Sequence, residues 1–276
     1  ELAENISSLG VEMELRNRTI LSGREIDIYI PEKSIAVEFN GIYWHSDQFL
    51  DKEYHYRKWR DCHDQDVQLI TIWEDDWLNK KELVMSMLKH KLGMSSNDSV
   101  YARTTKVREV PYLSASRFLI QHHIQGDTTG SLYIGLYHSD DLVALSVWRK
   151  ISDVLYLDRY ATSMTVVGGM GKLLKSGIRY AQKHGCTKIV TFADHCVSDG
   201  GLYEKLGFRL DKELKPDYRY VVGGERIHKF NYRLKRFRDD PSLEYVEGMS
   251  ERELARLNNI PRVYDCGKSR YVYDVT

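Results

Sequence analysis

The sequence of 276 residues has no run of about eighteen apolar residues, so neither an ordinary membrane-spanning helix nor a membrane partner is expected. Its start, ELAENISSLG, carries neither a basic patch nor the apolar core that directs secretion, and it lacks a Met, as a trimmed chain would. Cysteine is scarce. The four present, Cys62, Cys186, Cys196 and Cys266, include no CxxC pair and are too sparse for a disulfide scaffold, which predicts reduced thiols and a cytoplasmic protein. Repeats and low-complexity tracts are absent. So is net charge, since 40 basic residues balance 40 acidic ones.

What is present suffices for a packed core: 42% hydrophobic and 29% charged residues exclude wholesale disorder. At roughly 100–200 residues per domain, the length predicts two domains. Charge divides the same way. Residues 1–95 hold 12 Lys+Arg against 18 Asp+Glu, and residues 96–276 hold 28 against 22. An acidic half is odd for a DNA binder unless its carboxylates hold metal and the other half holds the phosphates.

Periodicity predicts helices at 1–8, 53–65, 80–92, 113–123, 171–184, 200–206 and 250–257. Strands are expected at 24–30, 34–40, 67–73, 131–138, 142–149, 154–160 and 187–192. The small, polar run GMSSNDS at 93–99 reads as a linker. The expected division is therefore 1–95, 96–240 and a tail at 241–276, the last with a candidate hairpin.

The first two strands fix their own register. Ile26, Ile28 and Ile30 share one face of the first, and Ile35, Val37 and Phe39 share one face of the second. Directly opposed residues lie on the same face, so apolar must meet apolar: Ile30 with Ile35, Ile28 with Val37, Ile26 with Phe39. That register sets Asp27 across from Glu38, and Glu25 across from Asn40. Opposed carboxylates repel. A divalent cation would remove the repulsion, and hard oxygen ligands suit Mg²⁺ or Mn²⁺, which can generate a hydroxide at a phosphodiester. The plain alternative is a solvated sheet face.

Asn40-Gly41-Ile42-Tyr43-Trp44-His45-Ser46-Asp47 follows at once. With Arg24-Glu25-Ile26-Asp27-Ile28-Tyr29, Val37-Glu38-Phe39-Asn40-Gly41 and Leu69-Ile70-Thr71-Ile72-Trp73-Glu74, it resembles the PD-(D/E)XK nuclease superfamily. The resemblance is to the branch of very-short-patch repair and phage homing endonucleases, over residues 1–92. It implies that Asp27 and Glu38 hold the metal, with the Phe39 carbonyl as a further ligand. The superfamily's usual Lys is replaced by Asn40. His45 matches a general-base position, which imidazole suits near neutral pH. Asp47 would orient it or hold a second ion. An acidic residue on the first helix is also implied, with Glu1 and Glu4 as candidates. Lys58 and His55 are placed to reach phosphate or to form a solvated helix face. Glu74, Asp75 and Asp76 read as a helix-capping cluster.

In the second half, Thr165-Val166-Val167-Gly168-Gly169-Met170-Gly171-Lys172 lies between a strand and a helix. Phe192-Ala193-Asp194-His195 leads on to Gly200-Gly201-Leu202-Tyr203-Glu204-Lys205-Leu206-Gly207-Phe208. This order resembles a GNAT acyltransferase fold, and more closely a Mom-like DNA-modification domain, over 100–238. The family pattern places Arg or Gln three residues before the first glycine of its Gly-x-Gly. That place holds Val166, so acetyl-coenzyme A is not expected. A DNA-binding role is expected instead. From Tyr218 to Arg238 there are seven basic residues, including Arg219, Lys229, Arg233, Lys235 and Arg236, interleaved with rings and opposed by one acid, Glu225. Lys172, Lys175 and Arg179 would add a positive helix face; solvated charges are the alternative. Arg262 to Gly267 resembles C-terminal segments of phage endonucleases, which leaves a recognition role or a plain edge hairpin.

The expected fold is α/β throughout: a restriction-endonuclease-like nuclease core, a GNAT-like domain and a short tail. The expected function is a metal-dependent, homing-like endonuclease on double-stranded DNA, in a host cytoplasm if phage-borne. The alternatives are a DNA-base-modifying acyltransferase with a degenerate nuclease domain and a non-catalytic DNA-binding protein. Oligomeric state is open.

Overall fold

The computed structural model describes residues 1–94 and 99–275. The core of the expected linker, 95–98, and the expected boundary at 95 lie outside the described residues. The chain forms two compact units, each discontinuous in sequence. The first takes residues 1–79, 194–198 and 214–268; the second takes 80–193, 199–213 and 269 onward.

The chain begins with α1 (Leu2–Ser7), β1 (Glu14–Leu21), β2 (Arg24–Ile30) and β3 (Ile35–Asn40). Then come α2 (Tyr54–His63), β4 (Gln68–Trp73) and α3 (Glu74–Lys91), which kinks at Lys80. The four strands make one sheet in the order β1-β2-β3-β4. Ile28 pairs with Val37, Tyr29 with Ala36 and Ile30 with Ile35, the register that matching of apolar faces requires. The ladder stops at Ile28. Beyond it the Asp27 N–H donates to the Glu38 carboxylate and the Phe39 N–H to the Asp27 carboxylate. β3 runs parallel to β4 and is buried almost throughout, so it reads as a continuous apolar run broken by one acid. α2 buries His55, Lys58, Trp59 and Cys62, an i, i+3, i+4, i+7 stripe. Trp59 and Cys62 join Ile26, Ala36 and Leu69 in the core.

Next are β5 (Ser99–Tyr101), β6 (Lys106–Glu109), α4 (Tyr112–His122), β7 (Leu132–His138), β8 (Asp141–Ile151) and β9 (Val154–Thr162). β10 (Thr165–Val167), α5 (Gly169–Lys183), β11 (Lys188–Asp194), α6 (Gly201–Lys205) and β12 (Arg209–Leu214) follow. A seven-stranded sheet runs β12, then the late strand β16 (Lys268–Asp274), then β11-β9-β8-β7-β6. β6 to β9 are antiparallel neighbours, whereas β9 and β11 are parallel. α5 buries Met170, Leu173, Leu174, Gly177 and Ala181 into the core of the second unit. Gly177 is needed there, because a Cβ would lie 2.5 Å from the fully buried Trp148 ring.

The first unit is completed by β13 (Tyr218–Val222), β14 (Glu225–His228), α7 (Leu234–Asp239), α8 (Glu251–Leu257) and β15 (Arg262–Tyr264). β13 is central in a three-stranded sheet, β14-β13-β15. Tyr220, Phe237, Leu254, Ala255 and Ile260 form its core. A Ser250–Glu253 capping box starts α8. The hairpin expected in the tail does not form, since β15 pairs with β13 while β16 joins the larger sheet.

Candidate functional site

The first unit has a buried polar centre. Asp27 N–H donates to Glu38 Oε1 at 3.2 Å, and Phe39 N–H donates to Asp27 Oδ2 at 2.8 Å. Lys58, on the buried stripe of α2, brings Nζ to 2.6 Å from Glu38 Oε2. Burial pushes the Glu38 carboxyl up to about 7; the Lys58 charge opposes this and Asp27 adds to it. Asn40 Nδ2 lies 3.3 Å from His55 Nδ1. The His45 ring stacks on His55 at 5.1 Å, with Trp73 edge-on to His55. Burial, then the His45 and Lys58 charges, push His55 down to about 3; burial and Lys58 lower His45 as well. Both rings are therefore neutral at physiological pH. Asn40 Oδ1, His45 Nδ1 and His55 Nε2 are buried without a partner among the described residues.

Asp47 does not touch this centre. Its carboxylate accepts from Arg262, from the backbone N–H at 2.9 Å and from the guanidinium at 2.8 and 3.0 Å. Glu74 accepts from Ile42 N–H, and Asp75 and Asp76 clamp the Arg226 guanidinium, so the acidic cluster also works across the unit. Glu1 and Glu4 are exposed.

The second unit has a fork in its sheet. β9 and β11 pair from Val154–Lys188 to Leu157–Thr191, and pairing stops there although both strands continue. At the fork, Thr191 Oγ1 donates to Leu157 O at 3.0 Å and is within hydrogen-bonding reach of the Tyr203 hydroxyl. Burial raises the Tyr203 phenol, so it stays protonated. On the β9 arm, the Tyr160 hydroxyl accepts from Met170 N–H at the start of α5, and burial pushes it up to about 12. Gly168, at φ 75°, caps that helix in a conformation that side chains rarely adopt. A Cβ on Gly169 would come 2.9 Å from the Tyr160 hydroxyl, whereas one on Gly171 would meet only Leu206, at 3.5 Å.

No family model matches this chain, and no curated protein does. Several of its neighbours among solved structures are acetyltransferases. One, from Bacillus subtilis in complex with CoA, is 14% identical, with 62% of this chain and 99% of that chain covered and a TM-score of 0.39. A GNAT family acetyltransferase from Elizabethkingia anophelis with acetyl-CoA bound is 16% identical, with 62% and 98% covered and a TM-score of 0.35. An IAA acetyltransferase from Bacillus cereus is 14% identical, with 62% and 99% covered and a TM-score of 0.35.

Four expectations are corrected. The nuclease and hydrolase assignment is not kept, because the metal that its chemistry needs finds no group of ligands among the described residues. Mg²⁺ or Mn²⁺ does not fit the donors: among the described residues no three His, Cys, Asp or Glu side chains converge to hold a metal. Mg²⁺ wants near-octahedral oxygen. Here the Lys58 ammonium supplies the positive charge at Glu38 instead. The exclusion of acetyl-coenzyme A is also withdrawn, since it judged the glycine turn by one side-chain position, 166. The Val166 side chain at that position is buried in the core of the second unit. The expected double-stranded DNA partner is withdrawn too, since Lys58 and Lys172, two of the cations meant for its phosphates, are tied to groups within the chain.

The basic residues expected to meet DNA scatter. Lys58 is buried against Glu38. Lys172 Nζ is tied to the carbonyls of Ala102 and Thr105. Lys175 and Arg179 stand exposed, one turn apart on α5. Arg219, Lys229, Arg233, Lys235 and Arg236 lie in the first unit, on β13, the turn after β14, and α7. Lys229 pairs with Asp217, and Arg236 with Asp240. Sequence reading assigned no role to Tyr160, Thr191 or Tyr203. A lone Thr in the apolar run of β11 was the available signal for the fork. No helix among the described residues is long and apolar enough to cross a membrane.

Proposed function

We propose that this chain is an acyltransferase that draws its acyl group from a coenzyme A thioester held at the fork of the second unit. One observation carries the reading. β9 and β11 part at Leu157 and Thr191 beside the glycine-started, 15-residue helix α5. Two parting parallel strands leave backbone groups for an extended ligand to pair with. The first turn of a helix offers free N–H groups and a partial positive charge, both suited to a pyrophosphate. Gly169 and Gly171 keep side chains away from that turn. The Tyr160 hydroxyl occupies the Met170 amide and would yield it, or share it, when a phosphate arrives.

When bound, the thioester would supply an activated acyl group. The chain's own contribution is the Tyr203 phenol. It is protonated at neutral pH, placed at the fork by Thr191, and can give its proton to the departing thiolate. Tyr203→Phe removes that proton and little volume. With acetyl-coenzyme A and a panel of primary amines, free-thiol release by Tyr203→Phe should fall about 10²-fold or more, the usual scale for a lost general acid. Its coenzyme affinity should be unchanged. Release at the wild-type rate would remove Tyr203 from the reaction.

A further inference from the structure

In the first unit, the end of β14 and the turn that follows it build an exposed stack. The His228 and Phe230 rings lie face to face at 4.9 Å and 15°. The Arg233 guanidinium lies 4.0 Å from the centre of the same Phe230 ring. All three are exposed, and Phe230 is 56% accessible. The surrounding cations are not spent. Arg219 stands opposite His228 in the β13–β14 register. Arg219 and Arg233 make no ion pair among the described residues, unlike their neighbours Lys229, Arg236 and Arg238.

We propose that this face binds single-stranded nucleic acid. A ladder of ring, ring and guanidinium ends in exposed flat members, and an unpaired base has a free face with which to extend it. A base inside a duplex has both faces covered by its neighbours. The uncommitted cations flanking the ladder meet the phosphates of the same strand. An acidic peptide would use the cations but leave the stack unexplained. The face lies in the first unit, so this inference is independent of acyl transfer at the fork.

The test is fluorescence anisotropy with the full chain and short labelled oligouridylate, oligothymidylate and duplex DNA. A single strand should bind saturably, and more tightly than the duplex; the tighter of the two strands identifies RNA or DNA as the class. Phe230→Ala, at an exposed position, should keep the fold by circular dichroism and weaken binding about tenfold, as removal of one base–aromatic stack does. Arg219→Ala should flatten the dependence of affinity on salt by about 0.7 in log–log slope, the change expected when one phosphate gives up its cation. If neither single strand binds, if the duplex binds as tightly, or if both Phe230→Ala and Arg233→Ala bind like the wild type, the proposal is wrong.

Discussion

Glu38 owes its protonation behaviour to where β3 places it. Removing a carboxylate and an ammonium from water costs several kcal/mol per ion, and only close pairing offsets it. The Glu38–Lys58 contact at 2.6 Å offsets part, yet burial still raises the Glu38 carboxyl from 4.5 to about 7. The native state therefore holds the proton more tightly than the unfolded chain does. Glu38 contributes stability that is full below about 4.5 and lost as pH rises through about 7. Compared with Glu38→Gln, the wild type should lose up to about 3 kcal/mol across that window in urea titrations followed by Trp fluorescence. A difference that stays flat with pH would mean Glu38 is ionised throughout. The Asp27–Glu38 juxtaposition was legible in the sequence, because apolar matching of two short strands allows one register. The group that answers it was not read correctly. Lys58 falls on the same helical stripe as His55, Trp59 and Cys62, which marks it as inward-facing. Charge alone suggested solvent.

At the scale of elements, α5 shows why a helix can need one glycine and tolerate another. Alanine in place of glycine favours a helix by up to about 1 kcal/mol. Gly171 has room for the methyl group, so Gly171→Ala should be neutral or mildly stabilising. At Gly177 the same methyl would meet three atoms of the Trp148 ring at 2.5–2.8 Å. Overpacking costs typically 1–3 kcal/mol, which outweighs the propensity gain. Gly177→Ala should therefore lower the denaturation midpoint while Gly171→Ala does not; equal midpoints would show that Trp148 moves aside freely. Elements with a buried stripe or clean alternation were readable, α5 and β2 among them. Those missed were short or exposed. β6 is exposed at all four residues and β12 at nearly all, so neither shows the alternation that betrays a strand. The helix expected at 80–92 matches the part of α3 beyond the kink at Lys80, and a shorter helical stretch opened by Glu74, Asp75 and Asp76 precedes it.

At the scale of the molecule, composition suggested consecutive modules, whereas each unit collects segments from distant parts of the chain. Residues 214–268 return to the first unit, which is why the basic run near 230 belongs with the acidic beginning of the chain. Charge summed along a sequence cannot register such a return. Local motifs also misled on chemistry: the resemblance around Glu38 implied a metal, and the Lys58 contact was outside its reach. The glycine turn before α5 is visible in the sequence, but Val166 ahead of it is no guide to its role, because its side chain packs in the core. The most direct test of the account is calorimetric titration of acetyl-coenzyme A into the wild type and Gly171→Glu. Glutamate suits the first turn of a helix, so the variant should fold, while its charge should repel a pyrophosphate there. The account predicts saturable binding to the wild type and at least about tenfold weaker affinity for the variant, in line with the scale of charge effects at a helix terminus. No saturable binding to the wild type, or equal binding to both proteins, would contradict it.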